Sequence, residues 1–209
     1  MPPLTFDGSA TRAQSGCWHV TTPSSSRDNC LIGWPPLYLV NRHNPTNPAF
    51  PPSHTIYYEV KLSPDSQKNS LALGFTALPY PSFRMPGWHR ASLAVHGDDG
   101  HRYINDRWGG KDFTQPFTPG STLGLGMTLQ RKPDPSAIRP AVNIFFTRNG
   151  VLENDWDLHE ETDAQQDLPV TGLEGFHDLA CAIGTFAALS FEVVFDPQQW
   201  MYKHVQKTA

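Results

Sequence analysis

The stretch Pro86–Gly100, which reads PGWHRASLAVHGDDG, constrains the fold more than any other part of the chain. Both of its ends are turn signals, because proline fixes φ near about −65° and glycine accepts positive φ. Between the turns, the apolar residues Ala91, Leu93 and Val95 stand at every second position, which predicts a half-buried strand. Trp88 precedes this strand and is large enough to plug one end of a core. A short strand between two reversals is typical of an antiparallel sheet.

Composition supports an all-β chain. The 209 residues include 20 prolines and 16 glycines, and so many turn formers suit strands better than helices. Hydrophobic residues make up 38% of the chain, which is enough for the core of one β-sandwich or of two small domains. The net charge is −4, so nucleic acid is not expected as a main partner, because that would need a basic face.

The cysteines and the hydropathy of the chain indicate a cellular compartment. Cys17, Cys30 and Cys181 are too few and too scattered for a disulfide framework or a Cys-x-x-Cys metal site, which favours reduced thiols. No apolar run reaches the roughly 20 residues that span a bilayer. No basic start followed by an apolar segment marks a secretory signal. We therefore expect an intracellular protein, cytoplasmic or nuclear, without membrane insertion.

Alternating apolar residues predict most of the strands. Weak patterns indicate short strands within 17–20, 30–33 and 37–40. Stronger alternation predicts strands at 56–62, 71–75, 101–104, 123–129, 142–146, 179–183 and 189–195. Asn149-Gly150 predicts a tight hairpin, since a type I′ turn needs two residues that tolerate positive φ.

These patterns also divide the chain. Residues 1–16 are predicted to be a flexible tail, residues 17–200 to form one sandwich, and residues 201–209 to be a C-terminal tail. Within it, the core is expected at 55–196, with added N-terminal strands at 17–40. The acidic stretch 152–167 has no period and is predicted to be a loop. Asp196-Pro197 predicts one helical turn through Trp200.

The sequence resembles the SPRY domain from about Tyr57 to Phe195. The resemblance rests on PGW and HGDDG, on the strands with YYEV, LGF and FEVVFD, and on the hairpin FFTRNG. It is strongest to the subgroup found in Ran-binding-protein-type scaffolds and fungal ubiquitin-ligase adaptors. It implies a single antiparallel β-sandwich of concanavalin-like type. It also implies non-catalytic recognition of a protein or peptide, recruiting a partner or substrate for a ubiquitin ligase or scaffold complex.

The chain departs from the family pattern at three places. No PRY segment precedes Tyr57, the loop at 130–140 is long and rich in proline, and the stretch at 155–175 is expanded. These positions lie at the rim of the sandwich, so they bear on the ligand rather than on the fold.

A search for catalytic and metal-binding patterns favours a binding module. His96, Asp98, Asp99 and His101 are interpreted as turn residues, because their side chains hydrogen-bond backbone N–H groups and the flanking glycines exclude a helix. No nucleophile elbow or phosphate-binding loop is present, and no catalytic residue, cofactor or metal is predicted. The alternative is a β-sandwich carbohydrate-binding module or glycoside-active enzyme, for which Glu59 and Glu192 could supply outward-facing carboxylates.

Pro35-Pro36-Leu37-Tyr38 matches the PPxY pattern that WW domains dock as a polyproline II segment. Pro35, Pro36 and Tyr38 are therefore candidate WW-domain ligands. The competing interpretation is that the segment packs as an early strand with Tyr38 buried, which Trp34 and Val40 on either side favour.

We expect three loops to converge at one end of the sandwich and to bind the peptide. They are residues 77–88, 130–140 and 184–188. Aromatic, Arg and Met side chains are enriched at binding surfaces, which selects these candidates: Tyr80, Phe83, Arg84, Met85, Thr185 and Phe186. The alternative for the first loop is that it folds down as a lid on the sandwich.

Overall fold

Two antiparallel sheets pack face to face in the computed structural model, which describes residues 6–66, 70–105, 110–134, 136–160 and 170–205. The strands are β1 Ser9–Arg12, β2 Trp18–Thr22, β3 Asn29–Ile32, β4 Ser53–Leu62, β5 Leu71–Ala77, β6 Ser92–His96, β7 His101–Ile104, β8 Lys111–Asp112, β9 Thr122–Gln130, β10 Ala141–Arg148, β11 Val151–Asp157, β12 Leu179–Thr185 and β13 Leu189–Val194. One short helix, α1, spans Val40–His43 among the described residues.

Strand order defines the two layers. Within the described ranges, one sheet has the order β1-β2-β13-β4-β9-β10-β11 and the other has the order β3-β12-β5-β6-β7-β8. The inward side chains of both sheets form one core, as the alternation along β4 and β9 predicts. The predicted single antiparallel β-sandwich is therefore confirmed.

The hairpin between β10 and β11 forms at Asn149-Gly150, as predicted. Asn149 and Gly150 have φ values of 51° and 77°, the left-handed conformation that a type I′ turn requires. The Asn149 side chain also accepts a hydrogen bond from the Thr122 backbone N–H (2.9 Å), which ties the turn to the start of β9.

Several local predictions are wrong. β11 overlaps the start of the predicted loop 152–167 and was missed because its side chains are mostly exposed and carry no apolar period, and residues 161–167 of that loop lie outside the described ranges. β1 lies within the predicted tail 1–16, where it pairs with β2. The segment at 37–40 contributes only a bridge between Tyr38 and Leu179 before α1 begins. By contrast, the chain does turn where one turn was predicted after Asp196, with the Gln199 backbone N–H donating to the Asp196 carbonyl (3.0 Å).

Trp88 does not plug the core. It is half-buried and lies on the outer face of the six-stranded sheet, where its ring packs against those of His96 (centroids 5.1 Å apart) and Tyr103. The reason is that residues 78–91 fold across this face instead of ending at the rim of the core.

The C-terminal segment up to residue 205 packs on the seven-stranded sheet, although residues 201–209 were predicted to be a tail. Glu59, on the outer face of β4, is fully buried beneath it. Its carboxylate accepts hydrogen bonds from the backbone N–H groups of Met201 (2.8 Å) and Tyr202 (2.9 Å) and from the Tyr57 hydroxyl (2.9 Å). The prediction that Glu59 faces outward as an available carboxylate is thus wrong. Glu192 lies at the surface beside His19 and Lys61.

We expect Glu59→Ala to lower the free energy of unfolding by about 2–4 kcal/mol, because the two backbone N–H groups lose a charged acceptor. Glu192→Ala on the same sheet is the matched control and should cost less than about 1 kcal/mol, since its ion pairs are exposed. Urea unfolding at pH 7 compares the two variants. Equal losses would show that Glu59 does not anchor the C-terminal segment.

Candidate protein-binding surface

The direction of the strands assigns each loop to one of two ends of the sandwich. Ala77 pairs with Leu179, whereas Leu71 pairs with Thr185, so the two termini of β5 lie at opposite ends. We call the end at Ala77 the first end and the end at Leu71 the second end. The loop after Ala77 begins at the first end, and the loop after Thr185 belongs to the second.

The loop at 130–140 also lies at the first end. A Cβ atom built on Gly175 would lie 3.2 Å from the Tyr38 hydroxyl and 3.5 Å from Pro140. Tyr38 in turn bridges to Leu179, which marks the first end. The predicted convergence of all three loops is therefore wrong. It fails because β12 runs antiparallel to β5 and carries residues 184–188 to the other end.

Residues 78–91 form a lid across the outer face of the six-stranded sheet. The Cys30 backbone N–H donates to the Ser82 carbonyl (2.8 Å), which ties the lid to β3. The His96 ring donates from Nε2 to the Pro86 carbonyl (2.9 Å), which ties it to β6. The alternative interpretation of the loop at 77–88, that it folds down as a lid on the sandwich, is therefore the arrangement observed.

The lid separates its own candidate residues into two groups. The side chains of Tyr80 and Met85 are buried between the lid and the sheet, and the Tyr80 hydroxyl donates to the Met85 carbonyl (2.7 Å). Phe83 is 67% exposed, and Arg84 lies at the surface with its guanidinium donating to the Trp88 carbonyl. Tyr80 and Met85 therefore hold the lid in place and are not displayed as peptide contacts.

The remaining two candidates lie at the second end. Thr185 is fully buried, so it is not displayed to a ligand. Phe186 is 43% exposed, and its backbone N–H donates to the Ser70 carbonyl. Neither residue lies near the 130–140 loop.

Three exposed apolar side chains that sequence reasoning missed lie in loops at the first end. Ile138 is 81% exposed, Leu78 is 39% exposed and Phe176 is 38% exposed. We call these three residues the loop-end patch. Arg139 and Glu174 form an ion pair (4.0 Å) beside it and connect the 131–140 loop to the 170–178 segment. In the sequence these residues stand alone in irregular loops, so no periodic signal identifies them.

Arg131 gives the first end a fixed shape. Its guanidinium donates hydrogen bonds to the carbonyls of Asn47 (2.9 Å) and Phe50 (3.1 Å), and its backbone N–H donates to the Pro52 carbonyl (2.7 Å). These bonds join the loop after β9 to the loop before β4. A surface held in this way needs little ordering when it binds a partner.

The HGDDG segment forms a hydrogen-bonded turn. Asp99 accepts hydrogen bonds from the His101 backbone N–H (2.8 Å) and the Tyr103 hydroxyl (2.6 Å). Burial lowers the pKa of His96, although its bond to the Pro86 carbonyl and the nearby carboxylates oppose the shift. Among the described residues, no three His, Cys, Asp or Glu side chains are arranged to hold a metal ion.

The PPLY segment is only partly accessible. Tyr38 is fully buried and its hydroxyl donates to the Gly175 carbonyl (2.8 Å), whereas Pro35 is exposed and Pro36 is half-buried. The tyrosine is a required part of the PPxY pattern, so its burial favours the packing interpretation over WW-domain docking.

Two stacked histidines lie beside Tyr38. The rings of His43 and His54 are 3.9 Å apart and nearly parallel. Burial and the charge of His43 lower the pKa of His54 to about 4. Burial also lowers the pKa of His43, whose Nδ1 accepts a hydrogen bond from the Leu39 backbone N–H. The stack therefore holds neutral imidazoles at neutral pH.

The described part of the chain is a β-sandwich of two antiparallel sheets with irregular loops at its ends. The SPRY domain family model matches residues 55–164, and the chain belongs to this family. The SPRY domain is a protein-interaction module, so the resemblance inferred from the motifs is confirmed.

Relatives of known sequence include a fungal and a plant protein. Protein ssh4 of Sclerotinia sclerotiorum is 32% identical over 133 residues, which are 62% of this chain and 23% of that protein. The Ran-binding protein M homolog of Arabidopsis thaliana is 31% identical over 98 residues, which are 47% of this chain and 19% of that protein. The chain thus matches less than a quarter of the length of these relatives.

Solved structures have the same fold. A human SPRY domain superposes with a TM-score of 0.59 at 20% identity, covering 90% of this chain and 95% of that one. The SPRY domain of human HERC1 superposes with a TM-score of 0.51 at 13% identity, covering 89% and 92%. None of the helices in the described ranges is long and apolar enough to cross a membrane.

We expect the His43–His54 stack to make stability depend on pH. The pKa of His54 is lower in the folded state than the ordinary 6.5, so its contribution is full above pH 6.5 and is lost as pH falls toward 4. Urea unfolding at pH 5 and pH 7.5 should show a smaller difference for His54→Gln than for the wild type. The exposed His177→Gln is the control and should keep the wild-type difference, and an unchanged difference in His54→Gln would contradict the assignment.

Proposed function

We propose that this chain is a non-catalytic recognition module that binds a protein or peptide through the loop-end patch. The observation that carries the proposal is the exposure of Leu78, Ile138 and Phe176 at one fixed end of a SPRY sandwich. Loops positioned by a rigid scaffold are common binding sites, and clustered exposed apolar side chains supply the anchors. The exposed lid residues Phe83 and Arg84 are proposed as secondary contacts beyond this patch.

We further propose that the bound partner is recruited to a ubiquitin ligase or scaffold complex in the cytoplasm or nucleus. The support is the resemblance to adaptor-type SPRY proteins, together with the similarity to Protein ssh4 and to the Ran-binding protein M homolog. Binding alone accounts for such a role, so no catalytic residue, cofactor or metal is required.

The carbohydrate-active alternative loses support from the structure. It required two outward carboxylates, and Glu59 is fully buried with three hydrogen bonds to the chain itself. A catalytic carboxylate must reach its substrate, so this residue is not available to a sugar.

A random-peptide library selected on the wild type tests the binding proposal. We expect Ile138→Ser combined with Phe176→Ser to weaken the selected peptides by about 30-fold or more, since two apolar anchors are lost. Both side chains are exposed, so thermal unfolding should change little. Phe186→Ser, at the second end, is the matched control and should retain wild-type affinity. If the double variant binds every selected peptide as tightly as the wild type, the patch is not the binding site.

Recruitment to a ligase is tested separately by quantitative mass spectrometry of proteins that co-purify with the wild type and with the same double variant. Ligase subunits should be enriched with both proteins, whereas the recruited partner should be lost from the double variant. Absence of ligase subunits from both samples would contradict the adaptor role and leave peptide binding intact.

A further inference from the structure

An apolar pocket of about 430 Å³ opens between the two sheets, at the edge where β1 and β2 face β3. Pockets that hold small organic ligands typically measure about 300–1,000 Å³. Side chains of both sheets and of the segment after β3 form the walls, among them Trp18, Val20, Leu31, Trp34, Ile183 and Phe195.

The segment after β3 explains why this corner of the sandwich stays open. The Gly33 backbone N–H donates to the Cys181 carbonyl and the Leu37 backbone N–H donates to the Leu179 carbonyl, both at 2.9 Å. Between these anchors lie Trp34 and two prolines, which have no N–H to continue the ladder. Trp34 is 74% exposed, so the segment forms one side of the pocket without filling it.

An arginine adjoins the residues that line the pocket. Arg12 is the Cα partner of Trp18, and it lies on the same face of β1 as Ala10, which lines the pocket. Its guanidinium has no hydrogen bond or ion pair to the described residues. Two carboxylates of the segments that flank the lining strands β12 and β13 have hydrogen-bond donors of their own: Asp196 accepts from Gln198 and Gln199, and Asp178 accepts from the Val40 N–H.

The interior of the pocket suits a hydrocarbon chain better than a polypeptide. Its walls are mainly apolar side chains from the inner faces of two sheets and from the segment after β3. A peptide backbone inserted there would leave polar groups unsatisfied, whereas a hydrocarbon chain has none to satisfy. A free carboxylate, in turn, is the complement of an unpaired guanidinium beside the pocket.

We propose that this pocket binds a single-chain amphipathic carboxylate, the chemistry of a free fatty acid. The hydrocarbon chain lies between the sheets, and the carboxylate accepts hydrogen bonds from Arg12. This site shares no residue with the loop-end patch. The two proposals can therefore be tested independently.

Titration of the wild type with octanoate, decanoate and dodecanoate, followed by tryptophan fluorescence below the micelle concentration, tests the proposal. Trp18 and Trp34 line the pocket and report its occupancy. Each extension by two methylenes should tighten Kd about tenfold. Arg12→Gln should weaken dodecanoate about tenfold or more and leave uncharged dodecanol unchanged. Arg90→Gln, an exposed arginine on the lid, is the charge control and should bind dodecanoate as the wild type does.

Filling the pocket provides a second test. Ala10→Phe places a ring in the space that the chain would occupy and should abolish the dodecanoate signal, and circular dichroism checks that the variant is folded. If Ala10→Phe does not fold, the comparison of dodecanoate and dodecanol binding in Arg12→Gln is the deciding test. The proposal is overturned by non-saturable dodecanoate binding, by affinity that does not rise with chain length, or by equal weakening of dodecanoate and dodecanol in Arg12→Gln. Selected peptides that compete for this pocket while dodecanoate does not bind would also overturn it.

Discussion

The close packing of three layers at Gly74 sets the arrangement of the rest of the molecule. The hydroxyl of Tyr58, which belongs to the seven-stranded sheet, accepts a hydrogen bond from the Gly74 N–H (2.8 Å) and donates one to its carbonyl (3.0 Å). On the opposite face, a Cβ atom at this position would lie 3.1 Å from Pro86 of the lid and 3.0 Å from Ala94. It would also lie 2.2 Å from the Leu93 backbone oxygen, so a side chain at residue 74 would clash with β6 and crowd the lid. The absence of one lets both sheets and the lid meet at a single point.

Covering segments decide which surfaces remain for binding. The lid buries much of the outer face of the six-stranded sheet, and the C-terminal segment buries Glu59 on the outer face of the other sheet. The ends and edges of the sandwich carry exposed large apolar side chains such as Ile138 and Trp34, and we propose that partners bind there. On this proposal, recognition lies in irregular segments while the sheets supply rigidity.

The sequence predicted the central strands well because alternation reports a strand with one buried face. β7 was predicted with its observed bounds, and the hairpin at Asn149-Gly150 was found because its turn has a strong local signal. β11 was missed because nearly all of its side chains are exposed, which leaves no pattern. The grouping of the binding loops failed for another reason. The end at which Thr185 lies depends on the pairing of β12 with β5, and one sequence does not encode partner choice locally.

The sequence nevertheless contains a signal for the position of the lid, which is the difference in residue size between the two faces of β5. Along β5 the inward residues are large, as in Leu73 and Phe75, while the outward ones include Ala72 and Gly74. Small outward residues also stand on β6 and β12, where a Cβ atom at Gly184 would come within 2.8 Å of the Met85 sulfur. Exposed strand faces favour β-branched or polar side chains, so a row of alanine and glycine is unfavourable there unless another segment packs on it. Large residues on one face and small residues on the other thus indicate a strand between a core and a closely packed covering segment, which is the position that the lid gives to β5.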